Sequence, residues 1–85
     1  MFPCLCCGYA TLSSEPPGTF EICPVCFWED DHVQAANPKL AGGANEPSLE
    51  EARRNFQTFG ASSREFIMRV RRPRPEEMPE GPESQ

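Results

Sequence analysis

The chain has 85 residues, a net charge of −5 and five cysteines, which limits it to one small domain. Leu, Ile, Val and Phe number only 15, beside ten prolines, so the core is thin; chains this short commonly need a metal, disulfides or a partner to fold. The composition excludes a multidomain enzyme, a Rossmann or barrel fold, a coiled coil and a membrane protein.

No apolar run approaches the ~20 residues of a membrane span, and no export signal precedes the first cysteine. The expected compartment is the cytoplasm, where paired cysteines bind metal more often than they form disulfides. Net acidity argues against a general nucleic-acid binder, whose footprint is usually basic.

Cys4-Leu5-Cys6-Cys7 and Cys23-Pro24-Val25-Cys26 are two C-x-x-C pairs with fifteen residues between Cys7 and Cys23, the spacing of a four-cysteine zinc site. A C-x-x-C turn lets two thiolates grip one ion while turn N–H groups donate to the sulfurs. Two such knuckles complete a tetrahedron with Zn–S of about 2.3 Å. Cys4, Cys7, Cys23 and Cys26 are therefore the expected ligands of one structural Zn2+ per chain. Gly8 follows the first pair, where a knuckle often needs positive φ, and Phe27 makes the second turn less ideal. A four-thiolate site is closed, with no position for substrate or water. The redox reading of C-x-x-C belongs to a βαβ unit, for which this chain has no room. Cys6 is left over, either an apolar filler of the knuckle or a reactive thiol beside the metal; the filler is preferred.

Between the pairs, Tyr9–Leu12 and Thr19–Ile22 carry β-branched and aromatic residues around the turn-forming Ser13–Gly18. This pattern predicts a β-hairpin of two short strands. Trp28 is expected as an aromatic lid over the knuckle, the alternative being an exposed partner anchor. Glu29-Asp30-Asp31 reads as a solvated acidic loop or a capping segment. Three adjacent acids could also hold a divalent metal for hydrolysis, but no phosphate loop or catalytic histidine accompanies them. His32 is a substitute ligand only if a cysteine defaults, so a lone exposed histidine is expected.

Ser48-Leu49-Glu50-Glu51 matches a capping box. Leu49, Ala52, Phe56 and Phe59 then recur at helical spacing, and Gly60 is placed to end the helix in the left-handed conformation. The spacing predicts an amphipathic helix over about 49–59 packed on the cysteine module. Ser62 or Ser63 could cap a brief turn through Arg64–Met68. Arg64, Arg69, Arg71, Arg72 and Arg74 form a local basic stretch that could touch phosphates. Glu76, Glu77, Glu80 and Glu83 follow, so an intramolecular charge match is an equal reading. Residues 73–85 are expected to be a disordered Pro/Glu-rich tail, leaving 1–72 as the domain.

These residues resemble a small bacterial family, the cysteine-rich CPCC proteins. The likeness is carried by Cys4-Leu5-Cys6-Cys7-Gly8-Tyr9, the block from Gly18 to Asp31, Gly42-Gly43-Ala44-Asn45, and Ser48 to Arg53 with Asn55-Phe56 and Phe59-Gly60. It covers about residues 3–61, with Leu5 where the family name implies proline. The resemblance implies a bacterial zinc-ribbon-like domain, with a partner-binding or immunity-type role by association.

The expected fold is small α+β and metal-stabilised, a zinc-ribbon-like double knuckle with a β-hairpin plus one C-terminal amphipathic helix. No catalytic residue is identified. The leading function is a non-enzymatic protein-interaction module whose partner is another protein. The alternatives are a nucleic-acid-binding ribbon using the arginines and a small enzyme using Cys6 or Glu29-Asp30-Asp31. No membrane partner is expected.

Overall fold

A computed structural model describes residues 1–79. Each C-x-x-C pair reverses the chain by itself, and the sheet follows from that. Around the first pair, β1 (Phe2–Pro3) and β2 (Ala10–Leu12) run antiparallel, Phe2 opposite Leu12 and Pro3 opposite Ala10, with an irregularity between the two β1 residues. Around the second, Ile22 bridges Glu29, the Phe20 N–H donates to Asp30 O, and the Asp30 N–H donates to Glu21 O, both at 2.9 Å.

The expected β-hairpin of Tyr9–Leu12 with Thr19–Ile22 is corrected accordingly. Each segment pairs across its own knuckle, and Ser13–Gly18 is the link between the two rather than a hairpin turn. Glu21 fastens that link. Its carboxylate accepts from the Ser13 N–H, the Ser13 hydroxyl and the Ser14 N–H at 2.9, 2.8 and 3.1 Å, and these bonds hold it below the usual carboxylate range.

A short helix absent from the sequence reading, α1 (His32–Ala36), follows the second knuckle. Asp31 caps it by accepting from the Val33 and Gln34 N–H groups at 2.8 and 3.4 Å. Five residues are too few to show a helical period, so capping is what defines it. α2 (Leu49–Phe59) has the predicted bounds. Ser48 Oγ accepts from the Glu51 N–H at 3.1 Å, and Gly60, at φ 84°, donates its N–H to Phe56 O at 2.9 Å. Its buried stripe, Leu49 and Ala52 with Phe56 alongside, packs against the cysteines, Val25 and Trp28. Phe59 instead lies under the Arg64 guanidinium, 4.8 Å from its ring centroid.

The long connection from α1 to α2 is organised around a buried amide pair. Gln34 is fully buried. Its Nε2 lies 3.0–3.2 Å from the Leu40, Asn45 and Pro47 carbonyls. Its Oε1 accepts from the Asn45 N–H and Nδ2 at 3.1 and 3.0 Å. Asn45 in turn grips Glu29, accepting from its N–H and donating to its carbonyl, both at 2.8 Å. Asp31 Oδ2 accepts from the Ala44 N–H at 2.9 Å. Gly43 sits so close to this network that a Cβ there would meet Asp31 Oδ2 and the Gln34 side chain at 2.8 Å. The Gly42-Gly43-Ala44-Asn45 motif is thus a clasp.

After α2 a 3₁₀ turn spans Arg64–Arg69, with Ser63 at its start making no side-chain cap. Ser62 is buried instead, its carbonyl accepting from Asn55 Nδ2 at 2.9 Å. The expectation of disorder from Pro73 onward is corrected as far as Pro79. Pro75–Glu77 forms a second 3₁₀ turn, and Glu77 is 6% exposed. Arg71 donates to both Glu77 carboxylate oxygens at 2.9 and 2.7 Å, and the Arg74 N–H adds a third bond at 2.8 Å. A bidentate arginine–carboxylate pair fixes geometry as well as charge. The rest of the expected tail, residues 80–85, lies outside the described residues. Among the described residues no helix is long and apolar enough to cross a membrane.

Candidate metal centre

The two knuckles are built alike. In the first, the Gly8 N–H donates to Cys4 O at 2.8 Å, the Cys6 N–H points at Cys4 Sγ at 3.4 Å, and the Cys4 N–H donates to Tyr9 O at 2.9 Å. In the second, the Phe27 N–H donates to Cys23 O at 2.7 Å, the Val25 N–H points at Cys23 Sγ at 3.4 Å, and the Cys23 N–H donates to Trp28 O at 3.0 Å. Gly8 and Phe27 both adopt positive φ, 85° and 69°. Glycine does so freely, whereas an L-residue there costs about 1–2 kcal/mol.

Facing each other, the knuckles bring the sulfurs of Cys4, Cys7, Cys23 and Cys26 within 4.8 Å of one another. Cys4 Sγ and Cys26 Sγ are 3.6 Å apart, and Cys7 Sγ and Cys23 Sγ 3.7 Å. A tetrahedron with metal–sulfur bonds of about 2.3 Å has edges of about 3.8 Å. Both separations are therefore edge-length, and both lie well beyond the ~2.05 Å of a disulfide. Cys4, Cys23 and Cys26 are buried.

Electrostatics point the same way. Cys23 is drawn well below the ordinary thiol value by hydrogen bonds from Cys26, then Cys4 and Cys7. The Thr11 hydroxyl, donating to Cys23 Sγ at 3.0 Å, acts in the same direction. Cys26 and Cys7 are pushed well above it, in each case chiefly by Cys23. Four touching thiols cannot all ionise together; a cation among them is what makes four thiolates compatible. The donor set, spacing and burial fit a metal ion.

The family model for cysteine-rich CPCC proteins matches residues 2–77. The chain belongs to the cysteine-rich CPCC family. No curated protein matches it.

Around the CPCC cluster the remaining candidates separate. Cys6 stands outside the four-sulfur group, 8% exposed in the core, with its thiol acting on Cys26. His32 is exposed on α1 and is not part of the cluster. Trp28 is 1% exposed and packs in the core with the cysteines, so it is no exposed anchor. The acidic run is divided. Asp31 caps α1 and holds Ala44, and Asp30 is buried, with Oδ2 accepting from the Thr19 N–H and hydroxyl at 2.9 and 2.8 Å. Only Glu29 faces a surface cleft. Of the two expected roles, solvated loop or capping segment, the structure shows the capping one at Asp31, with loop fastening beside it.

Sequence reasoning missed four supports of the cluster. Thr11 reaches Cys23 across twelve residues, which no local pattern marks. Arg53 Nε donates to Leu5 O at 2.9 Å, fixing the first knuckle to α2. The Ser62 N–H donates to Cys26 O at 2.8 Å and the Arg71 N–H to Pro24 O at 3.1 Å, fixing the second.

Proposed function

We propose that this CPCC protein is a structural-zinc domain, a zinc-ribbon-like double knuckle, that acts as a non-enzymatic protein-interaction module. The observation that carries it is the group of four sulfurs within 4.8 Å of one another, two of the pairs at tetrahedral edge length and three of the cysteines buried. Cys4, Cys7, Cys23 and Cys26 would hold one Zn2+, whose chemistry is to crosslink the two knuckles as a four-thiolate complex. With all four positions taken by protein, such an ion stabilises a fold rather than activating water. Zinc suits an all-thiolate tetrahedral site better than magnesium or calcium, which prefer oxygen.

The surface then carries the function. Exposed apolar groups, among them Phe20, Ile22, Ile67 and Met68, favour a protein partner over nucleic acid. The arginines argue less for phosphate binding, because Arg71 is held by Glu77, Arg64 covers Phe59 and Arg53 holds Leu5 O. Two measurements test the reading. Elemental analysis of the purified chain should give one zinc per molecule, and photo-crosslinkers placed at exposed sites in living cells should capture a defined protein. Iron in place of zinc, or capture of RNA or DNA alone, would overturn it.

A further inference from the structure

Resting on the interaction-module reading, we propose that the cleft between the second knuckle and the Arg64–Arg69 turn receives a lysine or arginine side chain from a basic segment of the partner protein. The cleft has a volume of about 360 Å³, at the small end of ligand pockets. Its apolar lining is Ile22, Phe27 and Phe66; Ile22 is 48% exposed, and the two rings lie 4.5 Å apart between centroids. Glu29, Glu46 and Glu65 line it as well. Among the described residues the ion pair is Arg71–Glu77, so these three carboxylates have no cation of their own.

An apolar wall beside three carboxylates complements a long cationic side chain, whose methylenes cover aromatic surface while its charged head reaches the acids. Phe27 strengthens the case. It stands at positive φ where the first knuckle uses Gly8, so a ring is present at a position where glycine would fit with less strain. That ring pairs with Phe66 and forms the cleft wall. A net charge of −5 favours the approach of a basic partner.

The test is an amide-shift titration of the metal-loaded, isotopically labelled full chain with the peptide acetyl-Leu-Lys-Leu-Lys-amide. Shifts should concentrate at the eight residues that line the cleft, Ala44 and Asn45 included. The combined substitutions Glu29→Gln, Glu46→Gln and Glu65→Gln should weaken binding about tenfold, as expected when the two lysines lose their surface ion pairs, with metal content unchanged. Phe66→Ala should weaken it without altering charge, and retained amide dispersion shows that the variant folds. The proposal is overturned if Glu50, Glu51 and Glu76 shift equally, if the glutamine variant binds as tightly, or if the Leu-Glu counterpart gives the same shifts. It is also overturned if the peptide shifts nothing while an oligonucleotide shifts the arginine amides. Failure of the cleft leaves the module reading intact, because crosslinking tests every exposed face.

Discussion

Gly8 and Phe27 occupy the same place in the two knuckles, each donating its N–H to the carbonyl of the first cysteine from a positive-φ backbone. The hydrogen bonds are 2.8 and 2.7 Å, so phenylalanine follows the same path as glycine. Exchange should therefore be asymmetric. Gly8→Val introduces a β-branched residue into the left-handed region and should cost about 1–2 kcal/mol or more. Phe27→Gly relieves strain but removes the contact with Phe66, so the net change should be smaller. Thermal melts of the metal-loaded variants check this; a larger loss from Phe27→Gly would mean that ring packing dominates the knuckle.

Cys6 and Cys7 are neighbours with different surroundings, and their serine variants should differ. Cys7→Ser removes one of the four clustered sulfurs and should abolish most metal affinity, with folding lost alongside, since structural zinc supplies about 10–16 kcal/mol of apparent binding free energy. Cys6→Ser should keep one metal per chain. Metal stoichiometry by elemental analysis decides between them; the reverse pattern would make Cys6 the ligand.

The Gln34–Asn45 pair should behave as a unit. Gln34→Leu leaves the Asn45 N–H and the Leu40, Asn45 and Pro47 carbonyls without their Gln34 partner, and an unsatisfied buried polar group costs about 1–3 kcal/mol. Gly43→Ala should act on the same clasp by steric contact with Asp31 and Gln34. If the two variants disrupt one structure, the double mutant will lose less than the sum of the singles. Strict additivity in urea melts would count against a shared network.

Glu77 is held down to about 2, chiefly by Arg71 and then by the Arg74 N–H. Its ordinary value is 4.5. A depressed carboxylate contributes stability that is fully present above the ordinary value and fades as pH falls from there toward the folded value. From about pH 8 to about pH 5 the wild type and Glu77→Gln should therefore lose stability in parallel, because Glu77 stays ionised throughout that range. Paired acid titrations, with metal release followed by a chromophoric indicator, check this. Curves that diverge above about pH 5 would assign a proton-linked role to Glu77 that its hydrogen bonds do not support.

What could be read in advance was local. The C-x-x-C spacing, the Ser48 cap, the stripe of α2 and Gly60 all lie within a few residues of what they determine. The strands were misassigned because Ser13–Gly18 has the chemistry of a hairpin turn, whereas the actual pairing is set by reversals at the knuckles. The Asp31–Gln34–Asn45 clasp was invisible because an amide's partners eleven residues away leave no period in the chain. Arg71 and Glu77 were visible as opposite charges, but the prolines around them suggested an unstructured tail. Buried Asp30 was misread for a related reason: three acids in a row look solvated until one learns that Thr19 donates to one of them.

The carbonyls of Pro24 and Cys26 receive their N–H donors from Arg71 and Ser62, residues the ribosome adds long after the last cysteine. A growing chain can offer all four thiols early, yet the scaffold that holds the second pair in place does not exist until translation has passed Arg71. Firm metal capture would thereby wait for the segment through Arg71, and an ion taken up earlier would sit in a half-built cradle from which it could still exchange.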